Sequence, residues 1–323
     1  MKKKATEEKK PFAEAVAERI IEALKTSTAP WQKKWEPGRP GATLPFNPTT
    51  GNHYKGINSL VLLMSGYSDT RWMTFKQARD IDACVRKGEK GTTIQYWSFG
   101  KTQVKKDDSG TPVKDSDGKS VKETVKFGRP RVFTATVFNA DQIDGLPELV
   151  VDEPKEMGWN NIERAERILE ESGARIDHIN NDRAFYRPSS DLIVLPEKSQ
   201  FESADGYYAT AIHELGHWTG HPTRLNRDLS GGFGSESYAK EELRAEIASM
   251  MVGDMIGVGH DPGNHVAYVK SWIRALENDP LEIFRAASDA EKIRGYIMDF
   301  ELDPELRKSN VKNNEKEDEG LEP

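Results

Sequence analysis

His213-Glu214-Leu215-Gly216-His217 sits inside an apolar-periodic run, with Tyr208, Ala211, Ile212 and Leu215 at helical spacing. The spacing predicts a helix over about Ser203–Thr219. Positions i and i+4 share a helix face, so both imidazoles can bind one divalent ion. Glu214 lies one residue round, where its carboxylate reaches a water on the ion rather than the ion itself, as a general base must. An ion there would lower the pKa of that water to about 7. A third ligand is expected downstream, in Tyr238-Ala239-Lys240-Glu241-Glu242-Leu243-Arg244-Ala245-Glu246. Glu242 and Glu246 are again i, i+4 on a partly apolar face, where a carboxylate without a partner is expensive. Glu242 is read as the ligand. Glu246 is read as the acceptor for a ligand imidazole, or as the alternative ligand, and Glu241 as facing solvent. Two imidazoles and one carboxylate suit Zn²⁺, with Mn²⁺ or another divalent ion as the alternative. A magnesium nuclease is disfavoured, since such sites use carboxylate clusters.

His221 follows His217 at i+4, but Gly220 and Pro222 bracket it, so it reads as a helix-end residue. His53, His178, His260 and His265 stand alone and read as surface or core side chains. A donor for the transition state is sought among Tyr207, Tyr208, Tyr238, Arg244, His265 and Tyr268, with Tyr238 and His265 placed first. The glycine-containing loop Arg224–Ser237 reads as a lid or as ordinary surface.

The chain has 323 residues, enough for about two domains. It carries 31% charged and 9% aromatic residues, polar for a globular chain but too patterned for disorder throughout. No run of eighteen apolar residues exists, which argues against a membrane span. The basic N-terminus lacks an apolar core, so no secretory signal is expected. The single cysteine, Cys84, excludes an internal disulfide framework and a cysteine metal cage. A cytoplasmic location follows as the expectation.

Charge divides the chain. Through residue 140 there are 26 Lys/Arg against 15 Asp/Glu; beyond it, 20 against 38. The basic part interleaves cations with aromatics: Trp31, Lys33, Lys34, Trp35; Tyr54, Lys55; Arg71, Trp72, Lys76; Arg86, Lys87, Lys90; Trp97. Flat rings stack on unpaired bases while cations follow phosphates, the sequence-tolerant mode for single strands. These residues are the candidate DNA contacts. Short helices are expected at 57–64 and 74–83, and strands at 92–99 and 131–138, joined by a hairpin with a solvated, mobile tip. The reading divides the chain into a domain over 1–145, a linker over 146–160, a second domain over 161–302 and a disordered charged tail over 303–323.

Longer blocks carry a family resemblance. Thr28-Ala29-Pro30-Trp31, Asn47-Pro48-Thr49-Thr50-Gly51, Tyr54-Lys55-Gly56-Ile57-Asn58, Arg71-Trp72-Met73-Thr74-Phe75-Lys76 and Val85-Arg86-Lys87-Gly88-Glu89-Lys90-Gly91 lie in the first part. Phe185-Tyr186-Arg187-Pro188, His213 through His221 and Tyr238 through Glu246 lie in the second. From about Phe12 to Phe300 the chain resembles the ArdC-type antirestriction proteins of conjugative plasmids, and is similar to the N-terminal part of TraC-type plasmid primases. The resemblance implies an α+β chain. Its N-terminal domain would bind single-stranded DNA, and a zincin-like, gluzincin-type metallopeptidase domain would follow. It also implies protection of incoming plasmid DNA from host restriction during conjugation, with a restriction enzyme or another protein as a further partner. Leu192–Leu195 would be the edge strand that pairs with a peptide. The alternative is a DNA-coating or enzyme-binding module with a structural or proteolytically inactive metal site.

Overall fold

A computed structural model describes residues 10–32, 44–149, 161–232, 234–260 and 268–302. Lys33, Lys34, Trp35, His265, most of the expected linker and the segment 303–323 lie outside the described residues. The chain packs as two compact units.

The larger unit takes in the described residues within Met1–Asn47, Gly51–Thr70 and Glu148–Pro323. Its helices are α1 (Phe12–Lys25), α2 (Ile57–Leu63), α4 (Asn161–Ser172), α5 (Ala204–Trp218), α6 (Glu236–Ile256), α7 (Val269–Asn278) and α8 (Glu282–Met298). The starts of α5 and α6 are set by Ser203 and Ser235, whose hydroxyls accept the amides of Gly206 and Tyr238 and satisfy donors the helix leaves open. The end of α6 is set by Gly257, at φ +78°, a left-handed turn that glycine adopts without strain. A sheet of β6 (Arg175–Ile179), β7 (Phe185–Arg187) and β8 (Leu192–Pro196) lies beside α5 in the order β6-β8-β7. β6 runs parallel to β8 and β7 antiparallel.

Two expectations change here. Leu192–Leu195 is not an edge. Every residue of β8 is buried and the strand is paired on both sides, the place for a continuous apolar run. The strand beside the cleft described below is β7. The packing also differs from a unit over 1–145: the smaller unit ends close by, at Pro147, but α1 and α2 belong to the larger one. Val16, Ile20 and Leu24 of α1, together with Trp31 and Leu60, belong to one core with Ile212, Met251 and Trp272. An amphipathic helix must bury its stripe, and the helical unit supplies the surface for α1.

The smaller unit takes in Pro48–Thr50 and Arg71–Pro147. It holds β1 (Trp72–Thr74), α3 (Phe75–Asp80), β2 (Cys84–Val85), β3 (Thr92–Val104), β4 (Lys122–Asn139) and β5 (Ile143–Asp144). Thr74 and Gln77 form a reciprocal cap that starts α3. The sheet order is β1-β4-β3, with a separate β2-β5 pair. A small core gathers Met73, Ala78, Ala83, Val85 and Ile143. The hairpin is longer than its hydrophobic pattern suggests, because its outer half is largely polar, with only scattered apolar residues such as Val104 and Val125. Its tip is folded into two turns, in which Asp107 accepts the amides of Ser109 and Thr111, and Asp115 those of Asp117 and Lys119. Among the described residues, no helix is long and apolar enough to cross a membrane.

Candidate metal centre

α5 and α6 pack side by side and bring three donors together. The Nε2 atoms of His213 and His217 lie 3.2 Å apart. Glu242 reaches toward both, with Oε2 3.6 Å from His213 Nε2 and Oε1 3.5 Å from His217 Nε2. Bonds of about 2.0–2.2 Å in a tetrahedral site put neighbouring donors about 3.3–3.5 Å apart. The spacing therefore fits three ligands of one ion.

The far side of each ring has its own carboxylate. Glu241 accepts from His217 Nδ1 at 3.2 Å, which leaves Nε2 free to ligate. Arg227 clamps Glu241 in turn, at 2.7 Å and 3.1 Å, and donates to the Gly216 carbonyl and the Thr219 hydroxyl. Glu241 is buried, which corrects the solvent-facing expectation: pairing with both His217 and Arg227 offsets its desolvation. Burial would raise its pKa, but His217 and Arg227 outweigh that and hold it below the ordinary glutamate value. Glu246 Oε2 lies 3.8 Å from His213 Nδ1, so Glu242 rather than Glu246 faces the two Nε2 atoms. Burial alone would lower the His213 pKa. Glu246 and Glu242 override it and set the metal-free value to about 9. Glu242 is held low by both imidazoles, against its burial.

Glu214 lies on the wall of an adjoining cavity of about 190 Å³, together with Tyr186, Tyr238 and Leu229. Burial pushes its carboxyl above the ordinary value, opposed by the two imidazoles and by the backbone amide of Tyr186. Tyr186 belongs to β7, so the edge strand touches the candidate base. Arg224 donates to Asp191 at 3.0 Å and to the Trp218 carbonyl at 2.7 Å, and Tyr186 donates its hydroxyl to Asp191 at 2.8 Å. With Arg227, this anchors the start of the 224–237 loop. Tyr238 is the donor candidate on the cavity wall, its pKa raised by burial and by Glu242, so it keeps its proton. Tyr207 bonds His178, Tyr208 donates to Glu166, and Arg244 is taken by Glu282 and Asp289. His221 closes the turn after α5 through Thr223, and His260 bonds the Trp31 carbonyl.

The DNA candidates divide. Trp31 and Trp72 are 0% and 1% exposed, and Arg71 is buried and donates to the Pro147 carbonyl. These three are packing residues, a correction with a simple cause: cation-flanked rings read alike from sequence whether they face a core or solvent. Tyr54 is half-buried, whereas Lys55, Lys76, Arg86, Lys87, Lys90 and Trp97 are exposed. Arg86 pairs with Glu89 and Asp144.

Two helices carrying His213-Glu214-x-x-His217 and Glu242 beside a mixed sheet define a zincin-like domain. Residues 163–289 match the zincin-like metallopeptidase family, and residues 10–138 match the N-terminal domain of anti-restriction factor ArdC. The chain belongs to the ArdC antirestriction family. Crystal structures of antirestriction ArdC from plasmid R388 superpose with TM-scores of 0.69 in the metal-free form and 0.71 in the Mn(II)-bound form. They are 34% and 32% identical, covering 90% and 91% of this chain and 97% and 99% of theirs. A DNA primase TraC from Escherichia coli is 66% identical over 295 residues, 91% of this chain. The chain spans 20% of that primase's length.

Proposed function

We propose that this protein is an antirestriction factor that binds single-stranded DNA without sequence preference and carries a metal-dependent peptidase site. On this reading it acts in the bacterial cytoplasm on incoming plasmid DNA during conjugation, with a restriction enzyme or another protein as the peptidase substrate. The observation that carries the peptidase part is the convergence of His213, His217 and Glu242 beside a cavity that Glu214 lines. His213, His217 and Glu242 would hold Zn²⁺ or Mn²⁺. The ion, when bound, would acidify a water and polarise a peptide carbonyl. Glu214 then takes and returns a proton in the cavity, its basicity raised by burial. Glu241 keeps His217 in the ligating tautomer, and Tyr238 offers a hydroxyl donor from the wall. β7 supplies the backbone edge nearest the base.

DNA binding is supported by the ArdC N-terminal family match, the basic surplus through residue 140 and the exposure of Lys76, Lys87, Lys90 and Trp97. The decisive experiment is Glu214→Gln. The variant should take up metal and bind DNA as the unchanged protein does and lose all peptide hydrolysis. Hydrolysis at the original rate would overturn the assignment of Glu214. Loss of hydrolysis with antirestriction intact would favour a protein that acts by coating DNA.

A further inference from the structure

The hairpin of β3 and β4 leaves the smaller unit as a two-stranded ribbon. Only the last three residues of β4 pair with β1, and no third strand joins the rest among the described residues. A bare ribbon is marginal in water, and large rings on it have no packing purpose unless something covers them. Yet Tyr96 is 48% and Phe133 39% exposed. These two face each other across the strands, rings 5.7 Å apart and 23° from parallel. Phe127 continues the row, 6.5 Å from Phe133 at 32°. The Arg131 guanidinium lies 4.4 Å over Phe127.

Local backbone explains the alignment. Between Ser98 and Gly100 the register slips, so Ser98 faces Arg131 and Gly100 faces Lys126. The slip lets Phe127 and Phe133, six residues apart, share one row. A Cβ at Gly100 would sit 2.7 Å from the Val125 carbonyl oxygen, so only glycine permits this closeness. The strands carry Lys101, Lys122, Lys126, Arg129 and Arg131 against one acid, Glu123. Near-parallel open rings with a cationic border match bases joined by phosphates.

We infer that this aromatic row, Tyr96–Phe133–Phe127 with Arg131, is the surface on which single-stranded DNA stacks. The inference rests on the DNA-binding reading above and names its site. The buried Trp31 and Trp72 have no part in it. Trp97 stands on the opposite face of β3, since side chains alternate, and is kept in every variant.

The test is anisotropy titration of the full chain with labelled oligo-dT of about twenty nucleotides, over a range of salt. Tyr96→Ala with Phe133→Ala should weaken binding roughly tenfold or more and leave the slope of log affinity on log salt unchanged. Arg131→Gln should lower that slope by about 0.7. Tyr96→Phe with Phe133→Tyr keeps both rings and should keep the affinity. Equal binding by the double alanine variant, or loss of binding by the ring-preserving variant, overturns the stacking surface while the DNA-binding reading stands. Absence of salt-dependent binding by the unchanged protein overturns that reading, and the inference with it.

Discussion

Glu241 and Glu242 are neighbours in sequence and do different work. Glu242 points between two Nε2 atoms, and Glu241 reaches the Nδ1 of His217 while Arg227 clamps it. The i, i+4 relation of Glu242 and Glu246 was visible in the sequence, whereas the partner of Glu241 comes from a loop fourteen residues upstream. Removing the charge should loosen the ring. Glu241→Gln is expected to reduce metal affinity by about 10–100-fold, read by competition against a chromophoric chelator, with the far-ultraviolet spectrum unchanged. Unchanged affinity would show that Arg227 and Glu241 serve packing alone.

At the scale of elements, α6 must run straight past α5 and stop where the following chain turns back. Gly253 makes that return possible, because a Cβ there would overlap the backbone of Gly259. Gly295, inside α8, meets nothing within 4 Å. The two glycines look alike in sequence and should respond oppositely. Gly253→Ala should lower stability by about 1–3 kcal/mol through overpacking. Gly295→Ala should raise it by about 0.5–1 kcal/mol through the lower entropy of the unfolded chain. Urea midpoints of the two variants measure both signs. Helices were legible because their apolar residues recur at 3.6-residue spacing; the one expected over about Ser203–Thr219 lies at Ala204–Trp218. The two- and three-residue strands β1, β2 and β5 were not, since so few residues carry no period.

Across the whole molecule, one unit border, Pro147/Glu148, lies near the change in charge, but α1 and α2 of the basic part belong to the larger unit. A fragment of residues 1–145 would separate Val16, Ile20, Leu24 and Trp31 from the core they share with Ile212 and Trp272. That fragment should bind a hydrophobic dye and aggregate at concentrations where the full chain does not, as dye fluorescence and light scattering would register. A monomeric, dye-silent fragment would mean that α1 folds back onto its own half. Residue type and local spacing alone determined the helices, the pairing of His213 with His217 on one face, and the candidacy of Glu242, because those relations span a single turn. Only the folded chain decided that Glu241 is buried against Arg227, that β8 is central and β7 an edge strand beside the cleft, and that Trp31 is core while Tyr96 and Phe133 are open to water. Those facts depend on partners far away in sequence, and no local pattern encodes which surface a side chain will meet.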